Sequence, residues 1–211
     1  MIMSALVTTH DLFFRRAGLD PGKVEAVVND ALHGADDGEL FLEYRQSEAL
    51  AFDDGKLKSA SFDTSLGFGL RAVCGEATGY SHASELSEDA LRRAASTVKA
   101  VRSSGSGISA EHPVGTNRAL YADDNPLGMV DFAVKVKLLS DIDAYLRGKD
   151  SRVMQATAAL SGEWQAVRII RIDGRSIADI RPLVRLNVAV VAADGDRMES
   201  GGYGTGGRVA Y

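Results

Sequence analysis

The chain predicts an α+β fold in which two antiparallel β-meanders pack with about three main helices. Three observations predict it. X-Gly turn signals, Asp54-Gly55, Ser161-Gly162, Asp173-Gly174 and Asp194-Gly195, separate segments of alternating polar and apolar residues. Helix starts carry recognisable caps, Asp20-Pro21 and Ser87. A helix-then-meander order occurs twice, with no sequence repeat between the halves.

The elements follow in order. A short helix is expected around residues 11–17. Asp20 caps a second helix and Pro21 takes its first position, where a missing N–H costs nothing. Val24, Val27, Val28, Ala31 and Leu32 then share one face. From residue 39 to 83 the period changes to two, and five strands are expected: 40–45, 49–53, 56–63, 66–73 and 76–83. Asp54-Gly55 suits a type I′ turn, which needs positive φ at both central residues. Ser87 caps the next helix, with Glu88 and Asp89 at its positive end and Leu91, Ala94, Ala95, Val98 and Val101 on its apolar face. Residues 102–128, rich in Ser, Gly, Pro and Asn, predict a long irregular connection, the most mobile internal segment. Residues 129–146 return to helical spacing, with Phe132, Val136, Leu139, Ile142 and Leu146 on one stripe. A second meander is expected over 152–160, 163–172, 175–180 and 183–192, with a last glycine-rich strand from residue 196. The expected organisation is 1–102, then the connection 103–128, then 129–211, with the second meander incomplete at its C-terminal end.

Composition bounds the function. With 211 residues, 45% of them hydrophobic, the chain can build one large core or two small ones. The net charge is −5 and the longest basic runs are the pairs Arg15-Arg16 and Arg92-Arg93, which argues against a nucleic-acid partner. No run approaches the ~18 apolar residues of a membrane span, and the N-terminus lacks the pattern of a signal peptide. A single Cys74 cannot form an internal disulfide, so a reducing, cytoplasmic compartment is expected.

No catalytic, cofactor-binding or metal-ligating residue is assigned, and the substrate-binding residues are left open. His10, His33, His82 and His112 have no spacing that puts two on one helix face. Cys74 and His82 could meet across a hairpin, but a zinc site needs more ligands. Cys74 has no recognisable base beside it and reads as a small buried hydrophobe. The pairs Asp36-Asp37, Asp53-Asp54 and Asp123-Asp124 are turn and cap chemistry. Gly202, Gly204 and Gly207 spell G-x-G-x-x-G after a strand, yet a dinucleotide site needs a helix after the glycines. Flexible or ligand-approaching backbone is the better reading, because glycine lets another main chain come close.

Several segments resemble the N-terminal part of the TldD/PmbA family, bacterial zinc metallopeptidases once described as modulators of DNA gyrase. They are DDGKLKSASFDTSLGFGLRAVCGEATGYSHASELS, the turn at residues 123–127, VMQATAALSG, and the tail DGRSIADIRPLVRLNVAVVAADGDRMESGGYGTGGRVAY, whose ADIRPLVRLNV is the most specific piece. The resemblance is closer to TldD than to its TldE/PmbA partner and runs from about residue 38 onward. It implies a longer protein whose zinc is held by a HExxxH helix and a cysteine near the C-terminus, with the motif's glutamate as base for water attack. This chain contains neither, so no ligand is carried over and Cys74 is not promoted to one. The resemblance also implies that this region helps enclose a cavity for unfolded peptides and that a TldD-type subunit pairs with a TldE-type one. The expectation is therefore the N-terminal, non-catalytic region of a TldD-type zinc metallopeptidase, inactive alone, with self-association through its last strand as a further possibility. The alternative is a stand-alone binding or partner module of the same fold.

Overall fold

The computed structural model describes residues 2–100, 122–209 and 211. Its elements are α1 (Ile2–His10), a π-helical turn (Asp11–Arg15), α2 (Pro21–Leu32), β1 (Asp37–Asp53), β2 (Lys56–Cys74), β3 (Ala77–Ala83) and α3 (Glu88–Lys99). A 3-10 turn (Pro126–Gly128) follows, then α4 (Phe132–Lys149), β4 (Val153–Arg171), β5 (Ser176–Asp194) and β6 (Arg197–Gly207). The strands form one antiparallel sheet in the order β3-β2-β1-β4-β5-β6. The α+β class and the meander order are those expected.

The strand boundaries are not. Segments 40–45 and 49–53 join into β1, 56–63 and 66–73 into β2, 152–160 and 163–172 into β4, and 175–180 and 183–192 into β5. The supposed break at Ser161-Gly162 lies inside β4. Pro182 is tolerated inside β5 because β6 pairs only as far as Val184, opposite Gly207. At Pro182 the strand has no β6 beside it, and a missing N–H on that side breaks no ladder. The turns at Asp54-Gly55 (φ 50° and 70°) and at Gly174 (φ 78°) and Gly195 (φ 61°) do have the positive φ their residues suggested.

The chain divides into two compact units. The first takes residues 1–45, 65–120 and 165–180, the second 46–64, 121–164 and 181–211. In the first, Asp20 caps α2 by accepting from the Lys23 N–H at 2.9 Å, and Val24, Val27, Val28, Ala31 and Leu32 are buried. Ser87 caps α3 by accepting from the Ala90 N–H at 3.2 Å, and α3 packs on α2 and β3. Leu40, Leu42, Phe68, Leu70, Ala72 and Cys74, at period two on β1 and β2, are buried with Phe13 and Phe14 of the π-helical turn. In the second, α4 places Leu139 in a core with Leu50, Phe52, Ala158, Leu160 and Val184. Val136, Ile142, Leu186, Val188 and Tyr211 pack against it. The helix starts at Phe132 rather than at residue 129, because 126–128 form the 3-10 turn, and Phe132 itself is half exposed. Of the expected irregular connection 103–128, residues 103–121 lie outside the described residues.

Candidate functional site

The residues weighed as ligands or nucleophiles do not converge. Cys74 is buried at the end of β2, in register with Ala77, whereas His82 lies opposite Gly69. The two are five positions apart along the ladder and do not meet. His10 is exposed and its ring sits 5.4 Å from that of Phe14; His33 is exposed at the C-cap of α2; His112 lies outside the described residues. Among the described residues no group of three or more His, Cys, Asp or Glu could hold a metal. These residues do not fit the zinc that the family resemblance implies, and no metal chemistry is assigned to them.

The glycine run is ladder, not phosphate loop. Gly202, Gly204 and Gly207 of β6 pair with Ala189, Asn187 and Val184 of β5. Arg185 Nε donates to Asn187 Oδ1 at 3.0 Å, and this pair of side chains needs the room the glycines leave. A Cβ on Gly204 would lie 2.7 Å from Asn187 Oδ1 and 3.3 Å from Arg185 Nη2. The room these glycines leave is taken by the protein's own β5.

In the first unit two arginines bracket two carboxylates. Asp37 and Glu39 sit two apart on β1, so they point to the same face. Arg71 of β2 donates Nε to Glu39 Oε1 at 2.9 Å and Nη2 to Asp37 Oδ2 at 3.1 Å. Arg171 of β4 donates Nη2 to Asp37 Oδ1 at 2.7 Å and Nη1 to Glu39 Oε2 at 3.2 Å. The Glu39 hydrogen bond, ahead of the Asp37 charge, raises the Arg71 pKa. The four charges balance and lock β1 between its neighbours in one register. Next to them along the sheet, Phe41, Glu43, Gly67, Gly69, Tyr80 and His82 line a cleft of about 300 Å³. The Tyr80 and His82 rings stack with centroids 5.6 Å apart. Gly69 is bare beneath them, since a Cβ there would lie 2.7 Å from the Tyr80 hydroxyl. Such an aromatic shelf at a strand edge can hold an extended peptide by main-chain and ring contacts.

The second unit contains a polar cluster that sequence reasoning missed. Lys135, on the apolar stripe of α4, is 2% exposed. Its Nζ donates to Glu48 Oε1 at 2.6 Å and to the Leu127 carbonyl at 2.8 Å, and lies 4.4 Å from the centroid of the Tyr211 ring. The Tyr211 hydroxyl donates to the same Glu48 Oε1 at 3.1 Å, and burial, followed by the Glu48 charge, pushes its pKa well up. Asn125 ties the turn down further: its Nδ2 donates to Gln46 Oε1 at 2.8 Å and its Oδ1 accepts from the Leu127 N–H at 3.0 Å. Trp164 Nε1 donates to the Asp123 carbonyl at 3.2 Å. The buried ammonium is thus paired and hydrogen-bonded as burial requires. Glu48, with Ser47, Ser61, Ser161, Gly162 and Arg185, faces a cleft of about 250 Å³. The signal available in the sequence was a lysine and an aspartate, Lys135 and Asp143, four residues either side of Leu139 on the helix.

The comparisons with known proteins bear on what this architecture is. The PmbA/TldA metallopeptidase domain 1 matches residues 38–103, and the PmbA/TldA metallopeptidase central domain matches residues 125–211. The chain belongs to the PmbA/TldD family. A metalloprotease TldD homolog of Haemophilus influenzae is 35% identical over 180 residues, covering 82% of this chain and 36% of that protein. A metalloprotease TldD homolog of Buchnera aphidicola from Schizaphis graminum is 32% identical, covering 85% and 37%. The chain therefore spans little more than a third of the length of these curated relatives. Among solved structures, TldE from Thermococcus kodakarensis superposes with a TM-score of 0.70 over 87% of this chain and 42% of that one, at 14% identity. A proposed modulator of DNA gyrase from Bacteroides thetaiotaomicron gives 0.73 over 89% and 45%, at 12% identity. At such identities the likeness is one of fold alone.

Proposed function

We propose that this chain is the N-terminal, non-catalytic region of a TldD-type zinc metallopeptidase that acts on unfolded peptides in a cytoplasmic compartment. Its part is to help enclose the peptide cavity and to pair with a TldE/PmbA-type subunit. The observation that carries the reading is the match of two consecutive domains of one metallopeptidase family along residues 38–211, with relatives named TldD metalloproteases. The surface agrees with it. The first ten residues of β2, at 56–65, and residues 197–206 of β6 are exposed on both faces, with Phe62, Met198 and Tyr203 among them. Strands bare on both sides are surfaces that further protein ordinarily covers. The aromatic shelf of Tyr80 and His82 offers a wall on which an extended peptide can lie.

The test is ligand arithmetic made experimental. A catalytic zinc needs three protein ligands around an open position. The purified 211-residue chain is expected to carry no stoichiometric zinc and to cleave no peptide, while an unfolded peptide perturbs Tyr80 and His82 in an amide-resolved NMR titration. Stoichiometric zinc with chelator-sensitive cleavage would overturn the non-catalytic assignment.

A further inference from the structure

A pocket of about 360 Å³ opens on the first unit, lined by Leu6, Val7 and His10 of α1 and by Arg168 of β4. Its α1 residues precede the matched residues 38–103, while Arg168 lies within the matched residues 125–211.

Arg168 is the unusual group in it. Most arginines of this chain pair with carboxylates: Arg71 and Arg171 with Asp37 and Glu39, Arg92 with Glu88, Arg147 with Asp143, Arg152 with Asp150. Arg168 does not. It is half-buried, its Nε donates to Ser176 Oγ at 2.9 Å, and its guanidinium lies 5.3 Å from the centroid of the Phe14 ring. Phe14 in turn carries the His10 ring on its other contact. The guanidinium is thus held by one side and one face, and Nη1 and Nη2 make no hydrogen bond or ion pair with the described residues. Burial lowers its pKa, and only the more distant charge of Glu25 opposes that. A partly desolvated cation ordinarily has its counter-charge close by. Here Arg168 lines an open pocket instead.

We propose that this pocket binds a small aliphatic carboxylate. The carboxylate is planar and accepts from both Nη groups, the geometry guanidinium favours. His10 stands beside it, and the alkyl tail lies against Leu6 and Val7.

The test is an amide-resolved NMR titration of the whole chain with isocaproate, with isocaproamide as the uncharged control of the same shape and inorganic phosphate as a second anion. Isocaproate is expected to give saturable shifts confined to α1, Arg168 and Ser176, and to bind at least about tenfold tighter than the amide, the ratio of one charge-assisted hydrogen bond. Arg168→Gln abolishes the difference. Because Arg168 also packs on Phe14, Val7→Glu gives an independent arm: Val7 is 69% exposed, and a glutamate there supplies the pocket with its own carboxylate and blocks isocaproate without disturbing the core. Equal responses to acid and amide, unsaturable shifts, or isocaproate binding unchanged in Val7→Glu would overturn the proposal, and phosphate binding as tightly as isocaproate would overturn the choice of a carboxylate.

Discussion

At the scale of single residues, the second unit depends on one absent side chain. Gly162 lies inside β4, and a Cβ on it would overlap the Tyr211 hydroxyl and Leu127 Cδ2. Those are the two residues that, with Glu48, hold the Lys135 ammonium. Gly162→Ala therefore pushes the Tyr211 ring and the Leu127 side chain off their present positions in the cluster. It is expected to cost about 1–3 kcal/mol, the usual range for overpacking, in urea unfolding followed by the Trp164 fluorescence. A second residue-scale expectation concerns protons. Asp150 and Asp173 are each held by an arginine two residues on: the Arg152 and Arg175 side chains lead, followed by the backbone N–H of the same residues, and both carboxyls fall to about 2. An unfolded aspartate titrates near ~3.9. The folded carboxyls are lower, so what they contribute to stability is present above that value and fades as pH falls from there towards about 2. Carboxyl-carbon NMR should find both still ionised at a pH where free aspartate is protonated; an ordinary midpoint for either would mean its arginine is not in place in solution.

At the scale of elements, turn chemistry was legible and strand continuity was not. Asp54-Gly55 announces itself because both residues take positive φ, a demand that is local. Gly162 looks like the same signal but answers to a tyrosine 49 positions away, and nothing local separates the two cases. The clamp on Asp37 and Glu39 was hidden for a similar reason, since Arg171 reaches them across more than 130 residues of sequence. Lys135 is legible in the sequence as a charge beside the apolar positions Val136 and Leu139 of α4. The same distinction governs β6. A Cβ on Gly206 would overlap the Val184 carbonyl and lie 3.0 Å from Arg185 Cα, whereas one on Gly201 meets nothing within 4 Å. Gly201→Ala is expected to be neutral or slightly stabilising, by up to about 1 kcal/mol through lost chain entropy. Gly206→Ala is expected to destabilise by about 1 kcal/mol or more, because the obstacle is backbone that cannot rotate away. Paired thermal melts decide it, and equal effects at the two sites would mean that β6 does not lie on β5 as described.

At the scale of the whole molecule, α4 and the sheet margins tell one story. The helix buries Leu139 yet leaves Val134, Leu138 and Tyr145 exposed, a second apolar stripe beside the first. β6 ends the sheet with no strand on its outer side among the described residues, and it exposes Met198 and Tyr203. An unpaired edge is a template for another chain, and the glycines of β6 offer neither the lysines nor the prolines that usually blunt one. The curated relatives are more than twice as long as this chain. The isolated chain is expected to self-associate through this edge. Sedimentation velocity should show the mass rising with concentration. Tyr203→Lys, which places a charge on the exposed strand without touching the buried core, should return it toward the monomer, while Tyr145→Lys on α4 should not. The reverse pattern would assign association to the helix, and a monomer at every concentration would rule out this edge as an association surface.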